Sequence, residues 1–351
     1  MGVGVFLAKK ALYLGITLVI AAYFAVVIAN QGGLVDRIII AEIRLGVTQQ
    51  LGGDPIFQRL PIEDRRAIFN KTVDDLIHAR GLDQPFITKS FRQTYEALTL
   101  QFGQATGTYG TASNSLWVII MDRLPRTVVL FTTGTILAAA LGIWLGLWMA
   151  RRALTAFDRG VTVFAVTTLV IPAWVFGIFF ILIFAFSLRI FPTGGFVGAP
   201  APTDPWLLFL DRLHHLALPL LTWVFATFGG WAYITRNLVL QIMDEDYVTV
   251  ARAKGLSEST VLRRYVLRAA SPPIVTSIAL ALIASWTGAI ITELVFSWPG
   301  LGMLFFEAIL STDAALIVAL TIIYAYLFVV TIFVLDVAYS FLDPRIRALR
   351  G

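Results

Sequence analysis

Six stretches of the chain carry no Asp, Glu, Lys or Arg and are dominated by Leu, Ile, Val, Phe and Ala: Ala11–Val35, Thr127–Ala150, Gly160–Leu188, Leu213–Thr235, Ala269–Thr292 and Ala314–Leu335. A bilayer core of about 30 Å needs about 20 apolar residues in a helix. Each stretch can therefore cross once, and must cross as a helix, because lipid offers no partner to an open backbone. The pattern predicts an all-α integral membrane protein with six transmembrane helices.

A seventh uncharged stretch, Ala97–Met121, is interrupted throughout by Gly, Thr, Ser, Gln and Asn, as in Gln101-Phe102-Gly103-Gln104-Ala105-Thr106-Gly107. Burying those polar groups in lipid costs more than its few large side chains return. It is expected to be a loop outside the hydrocarbon. Between the first two spans, residues 36–123 form an insertion in which charges alternate with apolar residues at helical spacing, as in Ile62-Glu63-Asp64-Arg65-Arg66-Ala67-Ile68-Phe69 and Val73-Asp74-Asp75-Leu76-Ile77. These predict short amphipathic helices, separated by turns at Gly52-Gly53-Asp54-Pro55 and Gly81-Leu82-Asp83. So small a piece, without disulfides or metal, needs outside support, so it is expected to pack on the outer surface of the membrane domain. It would serve there as a structural cap or as a docking surface for an external partner. The division expected is 1–35 (N-terminus and first span), 36–123 (extracytoplasmic insertion) and 124–351 (five-span core).

Composition agrees with the pattern. The chain is 58% hydrophobic and 14% charged, with a mean hydropathy of +0.80, well outside the range of soluble domains and of disordered chains. There is no Cys, and His occurs only at 78, 214 and 215. Thiolate metal sites, cysteine nucleophiles and disulfide frameworks are thereby excluded, and a His-based metal or acid–base centre is disfavoured. No basic–aromatic surface suggests nucleic acid.

The distribution of basic residues fixes an orientation. Lys9 and Lys10 precede the first span; Arg151, Arg152 and Arg159 lie between the second and third; Arg236, Arg252, Lys254, Arg263, Arg264 and Arg268 lie between the fourth and fifth; Arg345, Arg347 and Arg350 follow the sixth. The opposite short loops hold only Arg189 and Arg212. The positive-inside rule then puts both termini in the cytoplasm and the insertion outside. Lys9-Lys10 followed by an apolar core looks like a signal peptide, but the uncharged run is too long for an ordinary one, and the first span is expected to be retained.

The most informative polar segment is cytoplasmic, within 236–270: Asp246-Tyr247-Val248-Thr249-Val250-Ala251-Arg252-Ala253-Lys254-Gly255-Leu256-Ser257. It predicts a helix, a glycine stop in the left-handed conformation and a new helix capped by Ser257 with Glu258 in its first turn. Ala251, Ala253 and Gly255 present little bulk, so a short helix built this way could enter a cleft of another protein. The segment resembles the EAA loop of ABC-importer permeases, in particular the dipeptide/oligopeptide/nickel type. Other matches follow in order: Arg123-Leu124-Pro125-Arg126-Thr127, Phe191-Pro192-Thr193-Gly194-Gly195, Phe296-Ser297-Trp298-Pro299-Gly300-Leu301-Gly302 after Glu293, and Leu342-Asp343-Pro344-Arg345-Ile346-Arg347. Gly81-Leu82-Asp83-Gln84-Pro85 and Phe102-Gly103 extend the likeness weakly into the insertion. The chain departs from the pattern at Thr249 and Val250, where the acidic position is missing, and at Gln31-Gly32-Gly33, where a Gly-Asp-Pro turn is not evident.

The resemblance implies a permease subunit of a peptide importer, in a prokaryotic inner or plasma membrane. It implies a second homologous permease, two cytoplasmic ATPases that hold ATP and Mg, and an extracytoplasmic substrate-binding protein. Asp246, Tyr247, Ala251, Arg252, Ala253, Lys254, Gly255, Leu256 and Ser257 would then couple to the ATPase, whose closure rocks the spans. Consistently, the chain has no Gly-Lys dipeptide and so no phosphate-cradling loop, and no enzyme site is visible. Candidate pathway or gate residues are Trp174, Trp286, Glu293, Trp298 and Pro299, each weighed against a packing role. Pro172, Pro219, Pro272 and Pro273 suggest bends or helix ends. An oligosaccharide or nickel cargo is the alternative within the family. An ion-coupled secondary transporter is the alternative outside it, but that would call for midplane ionisable pairs, and none is seen.

Overall fold

The computed structural model describes residues 3–342 apart from 32, 80, 106 and 112. The terminal motif from Asp343 to Arg347, Arg350, Gly32 of the Gln31-Gly32-Gly33 turn and Thr106 of the polar loop lie outside the described residues. Among the described residues the regular structure is helical, apart from one isolated antiparallel bridge between Gln104 and Ser115.

Among the described residues five helices are long and apolar enough to cross a membrane: Gly4–Gln31, Leu116–Arg151, Pro205–Met243, Glu258–Ala284 and Ala314–Val337. They are the first, second, fourth, fifth and sixth spans. The third is not the single helix expected over Gly160–Leu188. It is a pair, Ala156–Val170 and Ala173–Ser187, bent by 100°. Pro172 causes the break. It has no N–H, and it pushes the residue before it out of the helical region; Ile171 is extended at φ −85°, ψ 121°. Two other boundaries differ from expectation. The second span starts at Leu116, inside the stretch expected to be loop, and Leu116, Ile119 and Ile120 are buried. The fifth ends at Ala284 rather than Thr292, because Gly288 at φ 69° turns the chain before a new short helix, Ile290–Val295.

The chain divides into two compact units, residues 1–11, 122–306 and 327–351 in one and 12–121 and 307–326 in the other. In the first unit the fourth span is the hub. Small residues let its neighbours approach it closely, the usual device where helices pack in lipid. A Cβ at Gly146 of the second span would lie 2.5 Å from the Ala232 carbonyl oxygen, and one at Gly229 would lie 3.0 Å from Cα of Ala165 in the third span. At the end of the fourth span the Arg236 guanidinium donates two hydrogen bonds, 2.7 and 2.6 Å, to the buried Asp158 carboxylate. Thr155 caps the helix on which Asp158 sits.

The second unit holds most of the insertion as four helices: Leu34–Gly52, Pro55–Gln58, Ile62–Ala79 and Phe86–Leu98. The turns fall where Gly and Pro predict them. Asp54 caps the Pro55 helix by accepting from the Ile56 N–H, and Gly81 is left-handed at φ 64°. Ile43, Val47 and Val73 form one small core. Ala22, Ala97 and Ile322 form another, which joins the last insertion helix to the first and sixth spans.

Candidate functional site

Two places in the first unit gather the sequence motifs. The first is an elbow. Helix Asp246–Ala253 ends at Lys254, and Gly255 follows at φ 76°. The Gly255 N–H donates to the Arg252 carbonyl (2.9 Å) and the Leu256 N–H to that of Ala251 (3.4 Å), the paired bonds of a Schellman stop. Leu256 folds back onto an apolar cluster that contains Val248, Ala251, Val239 of the fourth span, Ala150 of the second and Val261, Leu262 and Val266 at the start of the fifth. The elbow is thus seated on the ends of three spans. Its outer face carries Asp246, Tyr247, Val250, Ala253 and Lys254, all exposed.

Two expectations need correction here. Ala251 does not face outward with Ala253; it is buried, and its small side chain lets the elbow sit close on its own chain. Ser257 occupies the cap position, but its hydroxyl meets Ser259 and Thr260 side chains rather than a backbone N–H. Arg252 is engaged within the chain, by an ion pair of 3.1 Å to Glu258.

The second place is a buried knot. Three motifs far apart in sequence meet in it. Glu293, wholly buried, accepts from the Thr127 hydroxyl at 2.7 Å through Oε1 and from the Met303 N–H at 2.9 Å through Oε2. Thr127 in turn accepts from the Leu301 N–H at 2.7 Å. Trp298 donates from its indole to the Arg126 carbonyl at 3.1 Å and meets Phe196 edge-on. The guanidinium groups of Arg126 and Arg212 lie 4.7 and 5.1 Å from the centre of the same Phe196 ring, within cation–π range. The Gly195 N–H donates to the Phe296 carbonyl at 2.9 Å. Burial, outweighing these donors and the nearby Arg123 charge, pushes the Glu293 carboxyl, which lies beyond the end of the fifth span, up to about 7.

Of the five pathway candidates, Glu293 and Trp298 are therefore enclosed within this chain, where they tie loops together. Trp174, just after the Pro172 bend, Trp286, in the short turn after the fifth span, and Pro299 are half-buried and share no contact with one another in the hydrogen-bond or ring network. Asp158 was missed by the sequence reading, although Thr155 three residues earlier is a recognisable capping signal. Among the described residues no group of acidic or His side chains could hold a metal ion.

Comparison with known proteins adds a decisive observation. Residues 142–348, more than half of the chain, match the family described as "Binding-protein-dependent transport system inner membrane component". The chain belongs to this family. The permease is similar to the oligopeptide transport system permease protein AppB of Bacillus subtilis (strain 168), with 34% identity over 78% of this chain and 84% of that one. It is 28% identical over 98% of both chains to the inner membrane ABC transporter permease protein YejB of Escherichia coli O157:H7. It is also 30% identical, over 85% of this chain and 91% of the other, to the di/tripeptide transport system permease protein DppB of Pseudomonas aeruginosa (strain UCBPP-PA14). The protein is thus a multi-pass, all-α permease component of an ABC importer. The matched region includes the elbow and all of the knot except its Arg126–Thr127 side.

Proposed function

We propose that this permease forms half of the pathway for di- or oligopeptides, beside a second homologous permease, and that the Asp246–Ser257 elbow is where a cytoplasmic ATPase docks. The observation that carries the coupling reading is the two-sidedness of the elbow. Val248, Ala251 and Leu256 anchor it on the ends of three spans, while Tyr247, Val250, Ala253 and Lys254 face away from the chain. A push on the outer face would reach the spans as a rigid-body movement, since packed helices shift as units. The Arg236–Asp158 pair would carry the same movement to the third span. ATP and Mg would be held by the ATPases, and an extracytoplasmic binding protein would deliver the cargo. Both termini and the elbow lie in the cytoplasm in this reading, and the insertion outside. The peptide cargo is supported by the relatives named for oligopeptide and di/tripeptide transport.

The test is uptake into vesicles containing both permeases and both ATPases, with binding protein on the outside. Uptake of labelled di- or oligopeptide should need internal ATP and the binding protein, and a nickel salt or an oligosaccharide should not compete. Competition by either would give the cargo to the other branch of the family. Uptake that follows an ion gradient without ATP would remove the importer reading of this chain's coupling.

A further inference from the structure

Helix Phe86–Leu98 is amphipathic, and it is inside out. The face turned into the protein is polar: Lys89, Ser90 and Thr94 are 4, 0 and 4% exposed. Lys89 pairs with Asp36, and Gln93 accepts from the Asn30 side chain. The face turned away carries an apolar stripe, Ile87, Phe91 and Tyr95, at helical spacing of four and 63, 61 and 68% exposed, edged by Thr88 and by the Arg92–Glu96 ion pair. In water this arrangement is unfavourable on both counts, since it exposes large apolar side chains and removes a lysine from solvent. In a bilayer it is the expected one, with polar groups inward and apolar groups on lipid.

The helix also lies at membrane depth. Ala97 packs with Ala22 of the first span and Ile322 of the sixth, and the Tyr326 hydroxyl donates to the Leu98 carbonyl. Ala22 is nine residues from the Gln31 end of its helix, about 13 Å at 1.5 Å per residue; Tyr326 is twelve from Ala314, about 18 Å. The charge-free run Ala314–Leu335 is roughly as long as the hydrocarbon is thick, so Tyr326 sits near its middle. Phe91 continues the exposed apolar surface of the first span. Its ring lies 5.0 Å from that of Tyr23, which meets the exposed Phe24. Behind the polar face is a cavity of about 420 Å³, lined by Asn30, Arg92, Gln93, Glu96, Gln101 and Gln104 among apolar side chains.

We infer that helix Phe86–Leu98 is embedded in the leaflet at the Gln31 and Ala314 ends of the spans, with Ile87, Phe91 and Tyr95 against acyl chains. It is a membrane element rather than part of a cap in water, and this holds whichever side the termini face. The chain has no cysteine of its own, so each variant carries a single one in it, and the partner subunits are prepared free of cysteine. Ile87→Cys, Phe91→Cys and Tyr95→Cys are each labelled with a thiol-reactive fluorophore in the transporter as purified with its partners. The labelled protein is placed in phosphatidylcholine vesicles whose acyl chains carry nitroxide quenchers. Glu63→Cys, on an exposed position of the Ile62–Ala79 helix, is the aqueous reference. Embedding predicts that nitroxide chains remove most of the emission at 87, 91 and 95 while dissolved iodide has little effect, with the reverse at 63. Quenching of the three positions by iodide would place the stripe in water. Protection from both quenchers would mean that another protein covers it. Either result overturns the inference.

Discussion

The elbow and the knot both depend on glycine, for opposite reasons. At Gly255 the backbone is left-handed and nothing lies within 4 Å of where a Cβ would be. What matters is conformation, and the surroundings are open. At Gly300 a Cβ would fall 2.4 Å from both the Glu293 Oε1 and the Thr127 hydroxyl oxygen, so what matters is room. The elbow is a local structure with one face free to meet a partner. The knot is a long-range structure whose centre, Glu293, Thr127 and Trp298, is buried. One is suited to transmitting a force and the other to holding loops fixed while force is transmitted.

Substitutions can break this contrast or sharpen it. The largest effect is expected from Gly300→Ala. Overpacking a filled site costs about 1–3 kcal/mol, and displacing Glu293 from its donors adds to it. The prediction is a steep fall in the melting temperature of the detergent-solubilised permease, with loss of a single chromatographic peak; a stability close to the parent would show that the knot can give way. Thr127→Val keeps the shape but leaves the Leu301 N–H and one Glu293 oxygen without a partner, at about 1–3 kcal/mol. It should lower thermal stability measurably while leaving ATPase binding to whatever folds unchanged. Gly255→Val should cost about 1–2 kcal/mol of left-handed strain and reduce ATPase capture and uptake, with little change in membrane insertion. Gly255→Asn should recover most of the loss, because Asn tolerates that conformation, whereas no such rescue is expected from Gly300→Asn. Equal damage from Val and Asn at 255 would mean that bulk, not backbone, is limiting there. The smallest effect belongs to Arg252→Ala. Its ion pair with the well-exposed Glu258 is worth about 0–1 kcal/mol, so uptake should fall little; a larger loss than for Gly255→Val would show that charge holds the joint.

The same contrast explains what could be read from sequence. The elbow was legible because its determinants are neighbours: apolar positions at helical spacing, then Gly255 and Ser257. Even so, small residues alone do not tell which face of the helix points inward, and Ala251 and Ala253, alike in size, end on opposite faces. The 100° bend in the third span was signalled by Pro172, yet an uncharged run of that length also fits one straight crossing, and local sequence does not decide between them. The knot was visible only as three separate motifs. Nothing in the spacing of Thr127, Phe196 and Glu293 shows that they meet, because contact between them is made by the packing of whole helices. The inside-out helix Phe86–Leu98 was hidden for a related reason. Its periodicity is that of any amphipathic helix, and only its neighbours Ala22 and Tyr326 reveal which face meets the protein.

The central claim, that the elbow's outer face is the ATPase contact, can be examined with single cysteines on that face. Tyr247→Cys and Ala253→Cys lie on the exposed face, and Glu63→Cys, at an exposed position of the Ile62–Ala79 helix, serves as the reference. The rate of modification by a small charged thiol reagent is measured in the permease without the ATPases and again in the assembled importer. Docking on this face predicts fast modification of 247 and 253 in the permease without the ATPases and strong protection in the complex, with position 63 reacting equally in both. Unchanged reactivity at 247 and 253 in an assembled, ATP-hydrolysing importer would contradict it.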